Sequence, residues 1–131
     1  DAAFRNARQI ILSEVSTLQV KTINYLLDAY PGFDFNQFKC SRDIGIILES
    51  VCYDMVLPSN YQTVLAGNSY YRATGAPVID LQKTQTAAAM VYLKAQALAL
   101  LTPASAPYIR ISNLFDIIIN IFQNGFYRGH R

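Results

Sequence analysis

An all-α bundle of about five helices is the fold this sequence predicts, and three observations predict it. Apolar residues recur at helical spacing along most of the 131 residues. The periodic segments are separated by short breaks at Pro31-Gly32, Pro58-Ser59, Gly75-Ala76-Pro77 and Pro103 to Pro107. The stretch Cys40 to Tyr71 supplies the third, because its first half is apolar on two opposite helix faces. Ile44, Ile47, Leu48, Val51 and Met55 share one stripe, while Ile46 and Tyr53 fall roughly opposite, beside Arg42 and Glu49. An edge helix needs only one apolar stripe, so two stripes make this the central helix, near residues 41–56.

Taken in order, the first helical pattern runs from about Ala2 to Ala29, with Phe4, Ile11, Val15, Leu18, Thr22 and Leu26 on one stripe. Tyr30-Pro31-Gly32 ends it. Phe33 to Lys39 reads as a connector whose rings, Phe33, Phe35 and Phe38, close one end of the core. The central helix follows with Ser41 as N-cap, and Leu57-Pro58 stops it because the residue before proline avoids the helical region. A shorter helix is expected over about Tyr61 to Arg72, and a longer one over about Asp80 to Leu101. On the longer helix Leu81, Thr84, Ala88, Val91, Tyr92, Ala95 and Ala99 form the main stripe, and its alanines let a neighbouring helix come close. The last helix, about Tyr108 to Asn124, has Pro107 in its first turn and Gly125 after it. It carries one stripe through Tyr108, Ile111, Phe115, Ile118, Ile119 and Phe122. A second stripe through Leu114, Ile117 and Ile121 marks the expected contact surface with another chain or domain.

Composition limits the function classes. Hydrophobic residues make up 52% and charged residues 15%, so apolar side chains exceed what one small core absorbs and point to a covered partner surface. A membrane span needs about 18 consecutive apolar residues, and the best run, Ala87 to Leu93, is cut by Lys94. The net charge is +2 with the basic residues scattered, so no phosphate-binding stripe is present and nucleic acid is not an expected partner. Cys40 and Cys52 lie about 18 Å apart on one helix, too far to pair. The chain starts at Asp1 and shows no signal-peptide layout. It is expected to form one helical domain over residues 1–131 that is a fragment or module of a larger protein.

Candidate chemistry is thin. Asp43 and Asp54 are about 16 Å apart along a helix, beyond the roughly 10 Å over which paired glycosidase carboxylates cooperate. Arg42, Asp43 and Asp54 therefore read as structural polar anchors that tie neighbouring helices to the central one. Two distant cysteines and one histidine, His130, give no zinc set and no His-dependent triad. Gly67 and Gly75 stand alone, so there is no phosphate loop. No cofactor and no metal is implied, and an enzyme is not expected.

A resemblance covers about the first 72 residues. Asn6-Ala7-Arg8, Tyr30-Pro31, Lys39-Cys40-Ser41-Arg42-Asp43, Gly45, Tyr53-Asp54, Asn60, Ala66-Gly67 and Tyr70-Tyr71 occur in the order of a pattern that runs NAR-x-LI, KC-x-RD-x-G-x-I-x-DA-x-x-YDL, GGN and AG-x-x-YY. The chain thereby resembles a helical module of large virion structural proteins of tailed phages, chiefly marine cyanobacterial myoviruses, with similar modules in large algal viruses. It differs in having Pro58-Ser59 at the glycine pair and Glu49-Ser50 at Asp-Ala. The resemblance implies a tail, fibre or other virion component, located in the virion and assembled in the host cytoplasm, whose partners are other virion proteins or copies of itself. A receptor- or ligand-binding module at a tail tip, using Phe33, Phe35, Tyr61 and Tyr70, is the alternative. A small enzyme working through Asp43, Glu49 and Asp54 is a third reading.

Overall fold

The computed structural model describes residues 2–57, 83–120 and 122–123. Five helices occupy them, with no strand among them: α1 (Ala2–Ser13), α2 (Val15–Ala29), α3 (Gln37–Met55), α4 (Lys83–Leu98) and α5 (Ala106–Asn120). The all-α bundle expected from periodicity is thus the observed fold. The helix expected over Tyr61 to Arg72 lies outside the described residues. The count of five holds within them because the first long pattern is divided.

That division falls at Glu14, whose backbone (φ −111°, ψ 11°) leaves the helical region between α1 and α2. The Ser13 hydroxyl donates to the Ile10 carbonyl at 2.7 Å, offering the chain a local alternative to the helix ladder. The apolar stripe continues across the break, with Ala7 and Ile11 buried on α1 and Leu18, Thr22, Ile23 and Leu26 on α2. The break lets α1 pack on α3 and α5 while α2 packs on α3 and α4. Thr22 is buried with its hydroxyl donating to the Leu18 carbonyl at 2.8 Å. At the end of α2 the Phe33 N–H returns to the Tyr30 carbonyl across Pro31-Gly32, with Gly32 at φ +83°, the backbone a type II turn assigns to glycine.

Helix α3 begins five residues earlier than an N-cap at Ser41 predicts. Asn36 is its N-cap, with its side-chain oxygen accepting from the Lys39 N–H at 2.9 Å, so Phe38 and Lys39 belong to the first turn. Its buried stripe is the predicted one: Ile44, Ile47, Leu48, Val51 and Met55, with Cys40 and Cys52 beside them. The opposite face is less covered than the pattern predicts, since Ile46 is half-buried and Tyr53 is exposed. Three helices, α1, α2 and α5, pack against α3.

Helices α4 and α5 form a hairpin across a tight turn. The Ser105 N–H meets the Thr102 carbonyl at 3.2 Å, with Ala104 at φ 61°. Ser105 then caps α5, its hydroxyl accepting from the Tyr108 N–H at 3.3 Å. Of the stripe expected on α5, Ile111, Phe115, Ile118 and Phe122 are buried, and Tyr108 and Ile119 are half-buried. The second stripe needs correction. Leu114 is 0% exposed and belongs to the core, because α1, α3 and α4 surround α5 and bury a wide arc of it. Ile117 is 38% exposed, and the side chain of Ile121 lies outside the described residues.

Candidate functional site

The predicted polar anchors all sit on α3, at different depths. Asp43 and Asp54 are each 1% exposed, whereas Arg42 is largely at the surface. The Arg42 guanidinium meets the Asp43 carboxylate at 3.1 Å, and its Nε donates to the same oxygen at 3.2 Å, so this pair joins neighbours on one helix. A link between helices runs through the Asp54 backbone: Arg110 of α5 donates to the Asp54 carbonyl at 3.2 Å, in the last turn of α3. A cation near a helix C-terminus is favourably placed against the helix dipole. Arg110 was not singled out by sequence; a lone arginine on an apolar helix was the available signal.

These carboxylates do not assemble a reaction centre. Asp43 and Asp54 are enclosed while Glu49 is exposed, so the three share no cleft. Cys40 and Cys52 are free and buried. Burial pushes the Cys40 thiol up to about 12, with the Asp43 carboxylate adding to the shift. Cys52 also rises to about 12, chiefly through burial, with Arg8 opposing and Glu49 reinforcing it. The thiolate is the reactive form, so both thiols are packing groups at neutral pH. Among the described residues no group of three His, Cys, Asp or Glu is placed to hold a metal ion, and no helix is long and apolar enough to cross a membrane.

The aromatic connector divides. Phe35 is buried and stacks on half-buried Phe33, ring centroids 5.8 Å apart, so these two close the core end. Phe38 is 85% exposed, which corrects its expected role as a plug: the earlier start of α3 turns it outward. Tyr61 and Tyr70 lie outside the described residues. The ring set expected of a tip-binding module therefore loses Phe35 to the core.

Among the described residues, the outer face of α4 forms a broad grooved surface. Thr86, Ala89, Met90, Leu93 and Ala97 point into the core. Of the stripe expected to pack, Thr84, Ala88, Val91, Ala95 and Ala99 lie on the opposite side, with Val91 52% exposed, Tyr92 is half-buried at its edge, and Leu81 lies outside the described residues. Both faces of α4 are apolar, and the larger residues, Met90 and Leu93, take the core side because they bury more area. The exposed ridge of Val91 and Ala95 is flanked by two grooves. One, about 700 Å³, lies toward α2 and is walled by Tyr25 and Tyr92, whose rings stack at 4.5 Å and 11°. The other, about 590 Å³, lies toward α5 and is walled by Leu98 and Tyr108. An ion pair between Lys94 and Asp116 at 2.6 Å joins α4 to α5 at that rim. Past Tyr25 the first groove continues into a hollow of about 460 Å³ that Lys21 and Asp28 border.

Such a surface has shape and apolar area but few convergent polar groups, which suits a helix or another protein face better than a small polar substrate. Comparison with family models, curated proteins and solved structures finds no match to this chain.

Proposed function

We propose that this chain is a non-enzymatic structural module of a virus particle, in a tail, fibre or other virion component, acting through protein–protein contacts. The observation that carries the reading is the apolar outer face of α4, with Val91 half in water between two grooves. An apolar ridge of this kind is stabilised when a partner covers it. The virion context comes from the resemblance of the first part of the chain to helical modules of phage structural proteins. The enclosed carboxylates and thiols support a scaffold over a catalyst. Its partners are other virion proteins or further copies of the same chain, and its place is the virion, assembled in the host cytoplasm.

The test is incorporation. Peptides of the chain are expected in purified particles of the virus that encodes it, and Val91→Arg is expected to exclude a folded variant from those particles. A chain made in infected cells but absent from particles overturns the virion assignment. A Val91→Arg variant incorporated at the native level overturns the assignment of this face.

A further inference from the structure

We infer that the outer face of α4 pairs with the same face of a second copy, antiparallel, about a two-fold axis at the level of the Tyr25–Tyr92 stack. The inference rests on the reading of this face as a contact surface and names its occupant. Two patterns on separate helices carry it. On α4, Ala88 and Ala95 are equidistant from a point between Val91 and Tyr92, and Thr84 and Ala99 are equidistant from the same point. An antiparallel copy therefore sets Ala88 against Ala95 and Thr84 against Ala99 on either side of the central Val91, which lets the two helices approach closely. On α2, Lys21 and Asp28 are equidistant from a point between Asn24 and Tyr25. The tyrosine stack, at 4.5 Å between ring centroids, holds the two centres side by side.

A two-fold axis that lies in the interface and crosses α4 at right angles brings each α2 opposite its symmetry mate, with the direction reversed. Lys21 of one copy then faces Asp28 of the other, twice over. Both residues are exposed at the border of the groove, and neither makes an ion pair with a described residue. A two-fold parallel to α4 instead carries the two copies of α2 to opposite sides of the α4 pair, where Lys21 and Asp28 gain no partner charge. The charges thus select the antiparallel mode, and the self-complementary patch is what a two-fold contact requires.

Sedimentation equilibrium of the full chain over a concentration series reads the pairing directly, with helical circular dichroism as the check on folding. The native chain is expected to show a monomer–dimer equilibrium. Lys21→Asp and Asp28→Lys are each expected to weaken it by about tenfold or more, since like charges then face each other across the axis. Mixing these two variants is expected to restore pairing as a heterodimer, and combining both changes in one chain restores the homodimer. No effect on folding alone reproduces that rescue. A chain that stays monomeric throughout, or a mixture that pairs no better than either variant alone, overturns the homotypic pairing. In either case the wider reading of the face still stands or falls on whether Val91→Arg blocks incorporation into particles.

Discussion

Gly45 offers a perturbation whose magnitude follows from the structure. It lies inside α3, where replacing glycine by alanine gains about 1 kcal/mol of helix propensity. A Cβ at this position meets the Gln19 Nε2 at 2.7 Å, closer than real Cβ contacts come, while its other neighbour, Val15, stays at an ordinary 3.9 Å. The Gln19 side chain must therefore move, and it then gives up the bond that its Nε2 donates to the Ser41 carbonyl at 2.7 Å. A part-buried bond of this kind contributes about 1 kcal/mol, so Gly45→Ala is expected to come out near neutral. Gln19→Ala loses the same bond and costs about 1 kcal/mol. In the double variant the bond is lost once and the propensity gain is kept, so it should match the native stability to within about 0.5 kcal/mol. Urea denaturation of the four proteins, with m-values compared, gives the cycle. The expected coupling is about +1 kcal/mol. Simple additivity, with the double variant about 1 kcal/mol below native, would refute the idea that Gln19 occupies the space of the missing Cβ.

The remaining expectations concern burial. Leu114→Asp puts a charge into the enclosed side of α5 and is expected to cost about 4 kcal/mol or more, enough to broaden or abolish the cooperative thermal transition. Ile117→Asp on the half-exposed side should cost about 1 kcal/mol or less, and equal effects from the two would contradict this placement. Phe35→Ala should cost about 3 kcal/mol and Phe38→Ala about 0.5 kcal/mol or less; chemical denaturation separates them. Cys40 and Cys52 keep their protons in the native state up to about pH 12, against a normal thiol value of 9.0. The unfolded chain loses those protons first, so stability should fall as pH rises from about 9 toward 12, by about 1 kcal/mol per cysteine per pH unit. The Cys40→Ala, Cys52→Ala variant should lack that part of the slope, and an identical slope would remove the thiols as its cause.

What could be read in advance follows from how one-sided each pattern is. On α3 the five large residues from Ile44 to Met55 leave no competing choice, and all five are buried. The α5 stripe through Ile111, Phe115, Ile118 and Phe122 was legible for the same reason. Leu114 was misassigned because it lies at i+3 from Ile111 and i−4 from Ile118, on the edge of that stripe; whether the edge is covered depends on how many helices surround α5. The early start of α3 turned on Asn36 capping before Ser41 could, a choice between two good cap residues that local sequence does not rank. The kink at Glu14 has no proline or glycine to announce it.

Helix α4 is the case where periodicity had to fail, and the failure bears on function. Its two faces are both apolar, so helical spacing marks both and ranks neither. Side-chain volume ranks them: Met90 and Leu93 have more area to remove from water than alanines do, so the core takes their side. The alanine-rich side is then left outward, where it adds little area of its own but permits close approach of a partner backbone. Affinity on such a face must come from Val91, the tyrosine pair and the fit of the two grooves, while register and direction are left to charges at the rim. Lys21 and Asp28, one turn to either side of Tyr25, are placed to supply that register. Reversing either charge alone therefore probes direction of pairing without disturbing the apolar contact, whereas Val91→Arg removes the contact whatever its direction.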